Sequence, residues 1–382
     1  MNTDILTLES PNIDIIPDEF LYTLRSLGVQ ADLMTIDSIL QQQNPYLQKR
    51  GGLGFGAYAM VNNSHGVSQF TNINIFNQIQ ASKSPYLLSL VDDRKFIISD
   101  MNGVKYSSGV LLKIPEWGSI QINTSRKQAI QILQQHGTRE LVGMLGSTNC
   151  PLFEQGEGCE FCMLSGDNTN TERTVEEILE VFNLAKQYRP SYNLTLSTTW
   201  IKPDEYDAYV KNIITIKKQI GESKLALEIT PLPNDNRKVF FEELKNGGLD
   251  TLMIPLDCST EIAQETFLKG KAAILKNEYW NSIQDAVDIF GKGKVTSSLI
   301  IGLEPLENSL EAIREMTRKG VVAEPIPVRW DNEKLLKNSQ LPLTPPKDLK
   351  IASDYARIFI QKLIQEGCGP SSGCATCRGC GG

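Results

Sequence analysis

Leu141-Val142-Gly143-Met144-Leu145-Gly146-Ser147-Thr148-Asn149-Cys150-Pro151-Leu152-Phe153-Glu154-Gln155-Gly156-Glu157-Gly158-Cys159-Glu160-Phe161-Cys162 runs from an apolar segment of strand length straight into three cysteines. The cysteines stand at C-x8-C-x2-C spacing, and three thiolates in one loop are a metal-binding constellation. Tetrahedral zinc wants a fourth ligand, and no further Cys, His or Asp stands in the loop. An iron-sulfur cluster can instead leave one iron open to a ligand, so the missing fourth residue favours a cluster.

Beyond this loop, short apolar runs alternate with helical periodicity. Candidate strands are Leu141 to Leu145, Leu194 to Ser197, Ala226 to Ile229, Thr251 to Leu256, Ser297 to Ile301 and Val321 to Ile326. The spacing predicts helices at about 174–188, 204–218, 236–246, 277–290 and 308–319. The first opens on a capping box, Thr174-Val175-Glu176-Glu177, with Val175, Ile178, Leu179 and Phe182 on one face. Strands alternating with helices build a parallel sheet from βαβ units. Six such units predict an α/β fold with a partial (β/α)6 TIM-type barrel, whose chemistry sits at the C-terminal ends of the strands. The cysteine loop follows the first strand at that end.

Residues 1–137 read as an N-terminal accessory α+β domain, 138–345 as the partial barrel, and 346–382 as a C-terminal helix and Cys-rich tail. In the first part, a short helix from Asp18 to Leu27 precedes the Gly-rich Lys49-Arg50-Gly51-Gly52-Leu53-Gly54-Phe55-Gly56. No Lys-Ser/Thr pair follows, so this is a tight bend and no phosphate loop. Lys95 to Ser99 and Val110 to Lys113 read as strands about an Asn102-Gly103 turn. A helix from Ser125 to about Gln135, ended by Gly137, is expected to lead into the barrel.

The tail from a helix at about 347–365 onward carries Cys368, Cys374, Cys377 and Cys380, four thiolates at C-x5-C-x2-C-x2-C. It cannot build a core of its own, so metal binding is its route to order. An auxiliary 4Fe-4S cluster, zinc or a redox-active thiol tail all suit this pattern. The eighth cysteine, Cys258, ends the Leu256-Asp257-Cys258 stretch and reads as a small residue on the barrel rim.

A 382-residue chain with 41% hydrophobic residues can bury one large core or two moderate ones. Its net charge of -7, without a long Lys/Arg run, excludes the electrostatic footprint of nucleic-acid binding and of a polybasic membrane anchor. No apolar stretch approaches the ~20 residues of a membrane span. Met1-Asn2-Thr3-Asp4 lacks the basic and apolar regions of a signal peptide, which predicts a cytoplasmic protein. There, eight cysteines are not structural disulfides. Only His65 and His136 exist, so Ser-His-Asp hydrolysis and multi-histidine metal chemistry lack their parts.

A βα barrel whose first strand runs into a three-cysteine loop resembles the radical S-adenosylmethionine enzymes. Their usual spacing is C-x3-C-x2-C, and this chain carries a longer first gap; Phe161 between the last two cysteines matches the family habit. Leu196-Ser197-Thr198-Thr199-Trp200-Ile201-Lys202-Pro203 is similar to the Gly-Ala-Ala-Trp-x-x-Pro stretch of biotin synthases. Ser298-Leu299-Ile300-Ile301-Gly302-Leu303-Glu304 resembles the strand-turn of biotin and lipoyl synthases, with the second glycine of Gly-Leu-Gly-Glu missing. Ser84-Pro85-Tyr86, Lys269-Gly270-Lys271-Ala272, Phe290-Gly291-Lys292-Gly293-Lys294-Val295-Thr296 and the Cys-rich end extend the resemblance. They look like radical S-adenosylmethionine proteins of bacterial and cyanobacterial nitrilase-associated gene clusters.

The resemblance implies that Cys150, Cys159 and Cys162 fix three irons of a 4Fe-4S cluster while the fourth takes S-adenosylmethionine. Reductive cleavage would then yield a 5′-deoxyadenosyl radical that abstracts hydrogen from a small-molecule substrate. A reductant such as flavodoxin or ferredoxin is implied as partner. Phe161, Ser197, Thr198, Thr199, Glu228, Lys269, Lys271 and Gly302 are the implied cofactor-binding positions, Lys269 or Lys271 supplying a cation near the cofactor carboxylate. Arg329 could anchor a substrate carboxylate or form a salt bridge. Sulfur insertion with the tail cluster consumed, or a non-catalytic iron-sulfur or zinc scaffold, are the alternatives.

Overall fold

Alternation of apolar and polar residues decides the main sheet, because each strand must bury one face under helices and present the other to the barrel interior. The computed structural model describes residues 19–42, 56–62, 68–75, 78–136, 139–162, 172–234, 236–275, 278–330, 332–370 and 372–373. Lys49 to Gly54, His65, Cys374, Cys377 and Cys380 lie outside the described residues.

The N-terminal part contains α1 (Phe20–Ser26), α2 (Leu33–Gln42), β1 (Gly56–Asn62), β2 (Ser68–Asn74), α3 (Gln78–Ala81), β3 (Tyr86–Leu90), β4 (Lys95–Asp100) and β5 (Lys105–Leu111). The strands form an antiparallel sheet in the order β2-β1-β5-β4-β3. The expected Asn102-Gly103 turn joins β4 to β5, with Gly103 at φ +83°. This sheet has its own core, including Phe20, Leu24, Val29, Phe96, Ile98 and Leu111. Gln80 ties it to the barrel: its Nε2 donates to Ser26 O at 2.6 Å and to Val328 O at 3.2 Å.

The second sheet begins with β6 (Leu133–His136) and β7 (Glu140–Met144); β8 (Gly146–Ser147), α4 (Pro151–Glu154) and β9 (Glu172–Arg173) follow. Then α5 (Val175–Tyr188), β10 (Asn193–Ser197), α6 (Tyr206–Ile220), β11 (Leu225–Glu228), α7 (Arg237–Asn246) and β12 (Thr251–Met253) alternate. Three helices, α8 (Glu261–Phe267), α9 (Lys269–Leu275) and α10 (Glu278–Phe290), precede β13 (Val295–Ile301). The chain closes with α11 (Leu306–Lys319), β14 (Val322–Pro327), α12 (Asn332–Lys337) and α13 (Pro346–Gln365).

The sheet order is β14-β13-β12-β11-β10-β7-β6. Strands β7 and β10 to β14 are mutually parallel and make the expected half-barrel. β6 corrects one expectation: residues 125–135 form turns and a strand, and Leu133 to His136 pair antiparallel with β7. The period-3.6 apolar pattern there serves Ile130, Ile132 and Leu133, which are buried without a continuous helix. The sheet therefore takes in residues before 138.

Leu194, Leu196, Leu225, Leu227 and Leu252 face the helices, where Ile178, Val181, Phe182, Ile213 and Ile283 meet them in one core. At α5 the predicted capping box forms, Glu177 N donating to Thr174 Oγ1 at 3.2 Å and Thr174 N to Glu177 Oε2 at 3.1 Å. By strand alternation the inner face carries Thr195, Glu228, Thr251, Thr296, Ser298 and Glu324 among apolar residues such as Val142, Met253, Ile300 and Ile326, a mixed lining. Among the described residues no helix is long and apolar enough to cross a membrane.

Candidate functional site

Pro151 at the first position of α4 starts a single helical turn directly after Cys150, which is its N-cap residue. Gly158 lets the loop fold back on that turn, since a Cβ there would sit 2.0 Å from the Phe153 ring. The returning strand of the loop docks on the α8–α9 junction. Glu160 N donates to Phe267 O at 2.9 Å and Gly270 N to Glu157 O at 3.1 Å. A Cβ on Gly270 would lie 2.6 Å from that carbonyl. The Lys269-Gly270-Lys271 stretch is thus where the cysteine loop is clamped. Lys269 adds an ion pair to Glu160 at 3.1 Å across exposed side chains, and Lys334 donates to the Glu160 carbonyl.

None of the three loop cysteines is in a disulfide; Cys159 is buried and Cys150 and Cys162 are half-buried. Burial pushes the Cys159 thiol up to about 11, with the Lys271 ammonium pulling the other way. A thiol so placed ionises when a metal's charge is supplied. Among the described residues no three His, Cys, Asp or Glu side chains converge as ligands of one ion would. A cluster spreads its thiolates over separate irons, so its ligands surround a larger volume than those of one ion. Donor chemistry and spacing therefore fit a 4Fe-4S cluster.

Beside the loop lies a buried ion pair, Lys271 Nζ to Asp257 Oδ2 at 3.0 Å, with side chains 10% and 8% exposed. Burial alone would lower the Lys271 ammonium, but the Asp257 carboxylate holds it well above the usual lysine range. Asp257 takes a left-handed backbone at φ +60°. It is bracketed by β13, its N–H donating to Ser298 O at 3.0 Å and its carbonyl accepting from Ile300 N at 2.8 Å. Glu304 fixes the turn that follows: its carboxylate accepts from Ser259 N and Oγ and from Thr260 N and Oγ1, all at 2.8–3.1 Å. Cys258 is fully buried in this turn. Burial, then Asp257 and Glu304, push its thiol far up, which keeps it protonated and unreactive.

Glu228 ends β11 on the inner face. Burial, with Asp257 adding repulsion, raises its carboxyl to about 7, opposed by Lys271. Tyr279 is 2% exposed and its hydroxyl has no hydrogen-bond partner among the described residues, although Lys271, Asp257 and Cys159 all act on it electrostatically. The strand end at Ser197 is stitched to both neighbours. Leu145 N donates to Ser197 O at 2.9 Å and Thr198 N to Glu228 O at 3.0 Å, while Thr199 is buried. Phe161 packs half-buried against the main core. Gly302, at φ +103°, faces the Leu343–Thr344 segment, which a Cβ would approach to 3.0 Å. Arg329 is buried and its Nη2 donates to Arg25 O at 3.4 Å, toward the N-terminal unit.

The structure brings Cys159, Glu228 and Lys271 into one electrostatic neighbourhood. It gives Lys269 to the loop clamp, and it sends Cys368 elsewhere, beside Val322 and Leu363. Asp257, Tyr279 and Glu304 escape a reading of sequence alone. Asp257 had one signal, an acid beside Cys258 at a strand end; Tyr279, in the first turn of α10, had none.

No family model matches the chain. It is 25% identical over 253 residues to bacteriochlorophyllide c C-7(1)-hydroxylase of Chlorobaculum limnaeum, covering 59% of this chain and spanning 62% of that relative's length. Among solved structures, methylornithine synthase superposes with a TM-score of 0.45 at 14% identity, over 59% of this chain and 63% of the other. The FeFe-hydrogenase maturase of Carboxydothermus hydrogenoformans gives 0.43 at 16%, over 61% and 55%. Coproporphyrinogen III oxidase of Escherichia coli, a radical S-adenosylmethionine enzyme, gives 0.36 at 13%, over 63% and 55%. The first parallel strand of this chain ends in three thiols, and the chain spans less than two thirds of the length of each of these proteins.

Proposed function

We propose that the chain takes hydrogen from a C–H bond of a small organic molecule, with Cys150, Cys159 and Cys162 holding a 4Fe-4S cluster and S-adenosylmethionine as radical source. The observation that carries this reading is the set of three cysteines, none in a disulfide, at the C-terminal end of the first barrel strand. When bound, cluster and S-adenosylmethionine supply reductive C–S cleavage and a primary-carbon radical.

The chain's own residues orient and seclude. Lys271, held cationic by Asp257, offers the buried positive charge that a carboxylate of the cofactor needs, and Lys269 a more exposed one. Backbone groups of Ser197, Thr198 and Thr199 are proposed to meet its amino group, Glu228 its ribose or methionine part, Gly302 its adenine, and Phe161 the cluster's edge. Glu228, poised to about 7, binds either as a hydrogen-bond donor or as a carboxylate. A one-electron donor such as flavodoxin or ferredoxin is the proposed partner, and Cys368, Cys374, Cys377 and Cys380 the proposed ligands of an auxiliary cluster. Similarity to a hydroxylase supports substitution at carbon as the outcome.

The test is anaerobic reconstitution with iron and sulfide, then dithionite reduction with S-adenosylmethionine, assaying 5′-deoxyadenosine. The wild-type chain is expected to form it and Cys159→Ala to fall to background. Intact clusters with no cleavage in the wild type would make the chain a metal-binding scaffold.

A further inference from the structure

At the end of α13, Gly367 takes φ +75° and turns the chain, its N–H donating to Ile364 O at 3.0 Å and that of Cys368 to Leu363 O at 2.8 Å. The segment then crosses the N-terminal ends of the barrel strands. The Cys368 carbonyl lies against Gly293 in the turn before β13, where a Cβ would sit 1.4 Å from that oxygen. Ser372 is fully buried, its Oγ 2.8 Å from Oγ1 of Thr251, the first residue of β12. Gly373 packs on Ala226; a Cβ there would lie 3.3 Å from Ala226 Cβ and 4.0 Å from Thr251 Cγ2.

Ala226 and Thr251 are register partners on adjacent strands. Two residues further along the same strands stand Glu228 and Met253, so both pairs share a face. That face is the barrel interior: Leu225 and Leu227 belong to the helix-facing core, and Ala226 does not. A closed barrel fills this depth with branched side chains. Here the strands offer Ala226 and Thr251, and the volume left over is taken by residues from the far end of the chain.

We propose that Ser372 and Gly373 form the floor of the chamber inside the half-barrel. The C-terminal segment closes the N-terminal mouth and sets how deep a substrate reaches below Glu228, about 7 Å at two residues of strand rise. With the N-terminal mouth closed, entry is through the C-terminal mouth, beside the cysteine loop, and the chamber admits a compact molecule. Larger residues at 372 or 373 would displace the floor, which gives Ser372 and Gly373 a physical reason to be small.

This inference rests on the barrel interior being the substrate chamber, and its test needs no turnover. In the full chain, Thr251→Cys with Ser372→Cys is expected to cross-link under mild oxidation, since the two oxygens they replace are in contact. Peptide mapping by mass spectrometry separates this link from those of native cysteines. Ala226→Cys alone is expected to be alkylated at least tenfold more slowly than the same residue in denatured protein. Adding Ser372→Trp should remove that protection. No 251–372 link, together with alkylation of Ala226→Cys at the denatured rate, overturns the floor. A protected Ala226→Cys in a chain that never yields 5′-deoxyadenosine retires the radical reading and leaves the floor standing.

Discussion

Glu228 and Lys271 show how single side chains carry the site's electrostatics. Between about pH 4.5 and 7 the Glu228 carboxyl is still protonated in the fold but ionised in the unfolded chain. The folded state then holds the extra proton, so stability falls as pH rises through that window and levels off above it. Glu228→Gln removes the penalty. Its stability relative to wild type should grow from near zero at pH 4 to about 3 kcal/mol at pH 8, read by urea unfolding; a pH-independent difference would show that Glu228 titrates normally. Lys271→Met acts oppositely, because it leaves Asp257 charged and unpaired in a buried site. The expected loss is about 3–5 kcal/mol, and the Glu228 carboxyl, deprived of its opposing cation, should move further up. Chemical denaturation gives the first, and carboxyl titration by NMR the second.

At the scale of elements, the cysteine loop holds its shape through two close approaches. Gly158 lies under the Phe153 ring, and Gly270 of α9 lies against the Glu157 carbonyl. Neither glycine has a positive φ, so backbone space and not conformational freedom is what each supplies. Gly270→Ala should push the loop off the α8–α9 junction, costing about 1–3 kcal/mol by overpacking and lowering the iron retained after reconstitution. Unchanged iron content would mean the loop closes on the cluster without its clamp. The same scale explains the sequence reading that failed. Residues 125–135 carry an apolar rhythm suited to a helix, but β7 presents an open edge at the rim of the half-barrel. Leu133 to His136 satisfy that edge with an antiparallel strand.

Across the whole molecule, the loop cysteines and Cys368, the described member of the tail set, sit at opposite ends of one barrel. The loop cysteines follow β7 at the C-terminal end, whereas Cys368 and Gly373 meet Gly293, Ala226 and Thr251 at the N-terminal end. Two sites so separated should load independently. Replacing Cys374 and Cys377 with Ala is expected to remove roughly half of the bound iron if each site takes one cluster, leaving Cys159-dependent cleavage of S-adenosylmethionine in place. Iron analysis beside the 5′-deoxyadenosine assay checks both. Unchanged iron would exclude an auxiliary cluster.

The sequence by itself determined the six-unit βα alternation, the capping box at Thr174 and the cysteine loop after the first strand. These are local facts: strand and helix periods, a cap of four residues, and thiols within one loop are all written in adjacent positions. Only the tertiary structure decided that Asp257 neutralises Lys271, that Glu304 fixes the turn carrying Cys258, and that Tyr279 is buried within the electrostatic reach of Lys271 and Cys159. It alone placed Lys269 in the loop clamp and put Ser372 beneath the barrel, against Thr251. Each of these is a contact between residues far apart in the chain, fixed by how the strands curl and by which buried charge has no other partner.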